Sequence, residues 1–97
     1  MGVKHGREYA EILEELTEAI GSIEEGYTFF DMAIEDWNGL DEAQRKEVME
    51  ALADDVFYGL GEEPVIAVGQ GVVTYRAKHH CIEVALGSKE SRIIRLI

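Results

Sequence analysis

Pro64-Val65-Ile66-Ala67-Val68-Gly69-Gln70-Gly71-Val72-Val73-Thr74-Tyr75-Arg76 is the stretch on which the fold turns. Before it, apolar residues recur at three- and four-residue spacing; from Val65 on they are β-branched or aromatic and recur in twos, as strands require. Gly61 stops the preceding helix and Pro64 prevents its continuation. Gly69-Gln70-Gly71 supplies a tight hairpin, because glycine accepts the positive φ of such turns. The pattern predicts strands at about 65–69, 72–77, 80–86 and 91–97. Ala77-Lys78-His79 and Gly87-Ser88-Lys89-Glu90 make the later turns. Connections this short favour an antiparallel meander.

Period two also assigns faces. Ile82, Val84 and Leu86 are expected to face the helices. The last strand is apolar on both sides, with Ile94 and Leu96 on one face and Ile93 and Ile97 on the other. Two-sided apolarity calls for burial on both sides, by a dimer contact or by a helix folded over the second face.

Upstream, Leu13, Leu16, Ile20, Ile23, Tyr27, Phe30, Ile34 and Trp37 follow one another at alternating separations of 3 and 4 residues, the spacing of one helical face. Ile12, Ala19, Gly26 and Ala33 flank that seam at intervals of seven, mostly with small side chains. The other flank, Ala10, Thr17, Glu24 and Asp31, offers no oppositely charged pairing, so a helix covering its own domain's core is expected rather than a free coiled coil. A straight helix over residues 8–37 would run about 45 Å. A compact chain of this length is about 32 Å across. A bend or break near Gly26 is expected, with Gly21-Ser22 a second weak point. Asn38-Gly39-Leu40 then punctuates the chain, Asp41 and Gln44 form a capping-box pattern, and a second helix follows over about 42–60. Its buried side is expected to hold Val48, Met49, Leu52, Ala53, Val56, Phe57 and Leu60.

The reading is one α+β domain over 1–97, helical over 8–60 and sheet over 64–97: two N-terminal helices on one face of a four-stranded antiparallel meander. With 97 residues, 20 Asp+Glu and 9 Lys+Arg, the chain carries a net charge of −11. That excludes nucleic acid and anionic lipid as expected partners, since both reward basic surfaces. No apolar run is long enough to span a bilayer, and Met1-Gly2-Val3-Lys4-His5-Gly6 has neither signal-peptide nor myristoylation character. The lone Cys81 agrees with a reducing compartment, so a cytoplasmic location is expected. The charge is uneven: residues 1–63 hold 18 acids and 4 bases, residues 64–97 only 2 acids and 5 bases. Basic strands of one copy could thus meet acidic helices of another.

Motifs for chemistry are sparse. His79, Cys81 and Glu83 would alternate onto one strand face, and His79 with Cys81 could share a divalent metal. The sequence around Asp36-Trp37-Asn38-Gly39 fails as a calcium loop, with Ile34 at the first ligand position and Arg45 at the bidentate one. Asp54 and Asp55 diverge on their helix, and Ser22, Ser88 and Ser91 lie in no nucleophile elbow. Tyr58 and Tyr75 would need partners if buried. No enzyme and no cofactor are expected. The expected role is a non-enzymatic protein–protein interaction or regulatory module that self-associates, its contact made by Ile93, Ile97, Arg92 and Arg95. The alternative is a small-molecule or divalent-metal-binding domain using the helix–sheet interface or the His79/Cys81 strand face.

Overall fold

A computed structural model describes residues 3–87 and 90–97. Met1, Gly2, Ser88 and Lys89 lie outside the described residues, and with them the expectations for the first two positions, for Ser88 and for the middle of the last turn. The order is α1 (Tyr9–Gly21), a 3-10 turn (Gly26–Phe30), α2 (Ile34–Asn38), α3 (Glu42–Gly59), β1 (Val65–Val68), β2 (Gly71–Arg76), a second 3-10 turn (Ala77–His79), β3 (Cys81–Ala85) and β4 (Ser91–Arg95). The strands form one antiparallel sheet in sequence order, as the short connections require.

The expected long first helix is corrected. It ends at Gly21, so the described residues contain three α-helices rather than two. The cause lies far away in sequence. After Ser22, whose N–H bonds the Ala19 carbonyl, the chain doubles back beneath the β1–β2 hairpin. There the Gln70 N–H donates to the Glu24 carbonyl at 3.1 Å, and the Gln70 amide reaches Glu25 Oε1 at 3.0 Å. Gly69 makes this approach feasible: it sits at φ +54°, and a Cβ there would lie 2.5 Å from the Glu24 oxygen. Ile23 and Tyr27 still enter the core, carried by a turn instead of a helix.

Within α1, Ile12, Leu16, Ala19 and Ile20 form the buried stripe. Helix α3 starts at the expected capping box: the Gln44 N–H donates to Asp41 Oδ1 at 2.8 Å, and the Asp41 N–H to Gln44 Oε1 at 3.0 Å. Its Met49, Leu52, Ala53, Val56 and Phe57 are buried, while Val48 packs at the margin. These helical residues share a single core with Val68, Val73, Ile82, Val84, Ile94 and Leu96. The last strand's ambiguity is thereby resolved, since Ile94 and Leu96 are buried whereas Ile93 and Ile97 are exposed.

Backbone bonds from Gly6 and Arg7 to the Leu96 carbonyl tie the N-terminal segment to the end of β4. Arg7 also donates to the Arg95 carbonyl at 3.0 Å and pairs with Glu11 and Glu15 of α1. Its guanidinium pulls the Glu15 carboxyl below the usual range. None of the described helices is long and apolar enough to cross a membrane.

Candidate functional site

Strand register shows which residues share the side of the sheet away from the core. Pairing sets Val65 beside Thr74, Thr74 beside Glu83 and Glu83 beside Ile93 in one row. Ala67, Val72, Ala85 and Ser91 make the adjacent row, and Arg76, Cys81 and Arg95 the third. This open side carries four large aliphatic residues in contact with solvent: Val65 (56%), Val72 (38%), Ile93 (55%) and Ile97 (59%). Between them in the register lie Ala67, Thr74, Glu83, Ala85 and Ser91. Cys81, flanked across the strands by Arg76 and Arg95, is its buried exception.

Electrostatically the open side differs from the rest of the molecule. It holds two arginines and one glutamate in a chain of net charge −11. Arg76 is neutralised locally, its Nε donating to Glu83 Oε1 at 2.9 Å. The Arg95 guanidinium forms no ion pair among the described residues. Around the edge of β4 the surface folds into a shallow cleft of about 480 Å³ lined by Arg7, Glu15, Ile93, Arg95 and Ile97.

The structure therefore brings together three of the four residues expected at a contact. Ile93, Ile97 and Arg95 lie on the open side, but Arg92 does not: it pairs with Val84 and shares the parity of Ile94, so it sits at the rim of the core side. Val65, Ala67, Val72 and Ala85 complete the surface and were not expected there. Each looks like an ordinary strand residue, and only the register, pinned by the Gly69-Gln70 turn, puts them on the same side of the sheet as Ile93.

The proposed metal pair is not arranged as expected. His79 ends the 3-10 turn and His80 takes a left-handed conformation at φ 50°, so strand alternation begins only at Cys81. Among the described residues no group of three or more His, Cys, Asp or Glu side chains could hold a metal ion. The helix–sheet interface, the other alternative site, is filled by fully buried Leu16, Ile20, Leu52, Val56, Ile82 and Val84.

Other polar candidates have structural partners. Tyr58 is exposed, so its hydroxyl needs no internal partner, and the Tyr75 hydroxyl accepts the Lys4 N–H at 3.2 Å. The phenol held by a carboxylate is instead Tyr9, which donates to Asp54 and packs edge-on against Phe57. Burial, then the hydrogen bond to Asp54, raises the Tyr9 hydroxyl above its ordinary titration range. This pair fastens α1 to α3. Compared with known proteins, the chain matches no family model, no curated protein and no solved structure.

Proposed function

We propose that this chain is a non-enzymatic protein–protein interaction module that binds a second copy of itself through the open side of its sheet. The observation that supports this reading is the exposure of Val65, Val72, Ile93 and Ile97 on one side of the sheet. Single exposed aliphatics need no explanation, but several gathered on one uncovered sheet side mark an interaction surface. Charge favours the same surface. Two copies of net charge −11 repel one another, and the open side is where an approaching copy meets the least acid. The same excess of acid disfavours nucleic acid and anionic lipid as partners. A lone Cys81 suits a reducing, cytoplasmic setting.

Magnitude sets the kind of association. Four strands at about 4.8 Å spacing and five residues at about 3.4 Å give a footprint of about 320 Å². A standard stable interface covers about 800 Å² per partner. Association is therefore weak and concentration-dependent. Size-exclusion with light scattering, run from micromolar to millimolar concentration, is expected to show a rising mass. Ile93→Glu or Ile97→Glu is expected to return the protein to monomer with its circular dichroism unchanged. A constant monomer mass over the whole range refutes the reading.

A further inference from the structure

The segment from the first 3-10 turn to α3 has the properties the open sheet face lacks. Phe29 (38%), Phe30 (38%) and Ile34 (48%) are exposed, and α2 buries none of its residues. Phe29 and Phe30 pack edge to face with ring centroids 5.6 Å apart, a joint apolar knob. Non-glycine residues in left-handed conformation bracket this turn, Glu25 at φ 61° and Asp31 at φ 58°. Such backbone is unfavourable for an L residue, and here it brackets two partly exposed aromatic rings. From Glu24 to Asn38 there are five acids and no lysine or arginine. Among the described residues Asp31, Glu35 and Asp36 enter no ion pair.

We infer that the Phe29–Asp36 arm of one copy docks on the open sheet face of the next, Phe29 and Phe30 packing on Ile93 and Ile97 while Asp31 meets Arg95. This rests on the self-association reading above and names the partner surface. An arm cannot reach its own open face. Gly26 lies against the core-side residue Val68, and Trp37 is fixed under the Arg45 guanidinium of α3, 5.3 Å from the ring centroid. Charge favours this contact over two sheet faces meeting: together the two faces would offer four arginines and two glutamates, and both glutamates are already engaged by Arg76. The arm instead brings Asp31, Glu35 and Asp36 towards Arg95, none of which enters an ion pair among the described residues. Because the two surfaces differ, the contact repeats, forming rings or open chains rather than closed dimers.

Mixing two variants tests this. Ile93→Glu removes the face and leaves the arm; Phe29→Ser with Phe30→Ser removes the arm and leaves the face. All the altered side chains are exposed, so both proteins are expected to fold, which circular dichroism checks. Sedimentation velocity is expected to show wild type growing beyond dimer with concentration. Each variant alone stays monomeric, with association weakened about tenfold or more. An equimolar mixture forms a 1:1 dimer and stops there, since only one intact arm and one intact face remain. An arm variant that associates like wild type overturns the inference and leaves the open-face reading standing. So does a mixture that stays monomeric when both variants are monomers. Wild type that is monomeric throughout overturns both.

Discussion

The two sides of the same four strands are built from similar residues and meet opposite fates. On the core side Val68, Val73, Ile82, Val84 and Ile94 are buried against α1 and α3. On the open side Val65, Val72 and Ile93 remain in water. Side-chain chemistry does not distinguish the two sets, because Ile82 and Ile93 are the same residue one strand apart. What distinguishes them is coverage: α1 and α3 provide only one apolar layer, and a sheet has two sides to cover. A chain of this length encodes a complete core on one side and a surplus on the other. The surplus is the candidate site.

The largest expected effect separates the sides directly. Ile82→Ala empties a fully buried position and is expected to cost about 2–5 kcal/mol. Ile93→Ala removes the same atoms from a solvent-facing position and is expected to change monomer stability by about 0.5 kcal/mol or less. Urea unfolding at low protein concentration measures both. Equal losses would mean that the open side is covered within the monomer.

Next in size is the joint that makes the core side complete. Gly69→Ala forces an L residue into positive φ and drives its Cβ against the Glu24 carbonyl. A loss of about 2 kcal/mol is expected from strain and displaced backbone. The same unfolding experiment checks it, and Gln70→Ala, which removes only the Glu25 contact, is expected to lose far less.

That joint also explains what was legible beforehand. Signals within one helix or hairpin were readable: the Asp41/Gln44 capping box, the start of α3, the Gly69 turn, four strands within a residue or two of their positions, and the inward parity of Ile82, Val84 and Leu86. A break in the long apolar run was expected from its length and its glycines, with Gly21-Ser22 the second weak point, but its place was not fixed. Apolar spacing continues unbroken past Gly21 to Trp37, and Ile23 and Tyr27 stay in the core, so periodicity carried no sign of the break. The deciding bond joins Gln70 to Glu24, 46 positions apart. The site divides in the same way. Ile93 and Ile97 announced themselves through the two-sided last strand, whereas Val65 and Val72 needed cross-strand register. Arg92 was misplaced because charge and adjacency suggested the contact, while alternation puts it on the other side.

A smaller effect is expected from the open side's own ion pair. Arg76 and Glu83 lie on neighbouring strands, half in water. A double-mutant cycle with Arg76→Ala and Glu83→Ala is expected to give a coupling of about 1 kcal/mol or less, shrinking as salt is added. A coupling that stays large and salt-independent would indicate that this surface is shielded from water in the monomer.

The smallest expected effect lies at the seam where the two sides meet, around the edge of β4. Arg7 joins Glu11 and Glu15 of α1 to the Arg95 carbonyl, and its guanidinium forms one wall of the cleft beside Ile93 and Ile97. The Glu15 carboxyl is held below its ordinary value of 4.5, chiefly by the hydrogen bond from Arg7. A depressed carboxylate stabilises the fold above its unfolded-state titration, and that contribution fades as pH falls through the folded-state value. Between about pH 5 and pH 3 wild type is therefore expected to lose slightly more stability than Glu15→Gln, which has no carboxylate to protonate there. Because the pair is largely exposed, the difference is expected to be small and to diminish in high salt. Melting temperatures of the two proteins across this pH range check it. Parallel curves would mean that Arg7 holds β4 through the Arg95 carbonyl alone, leaving the seam insensitive to acid.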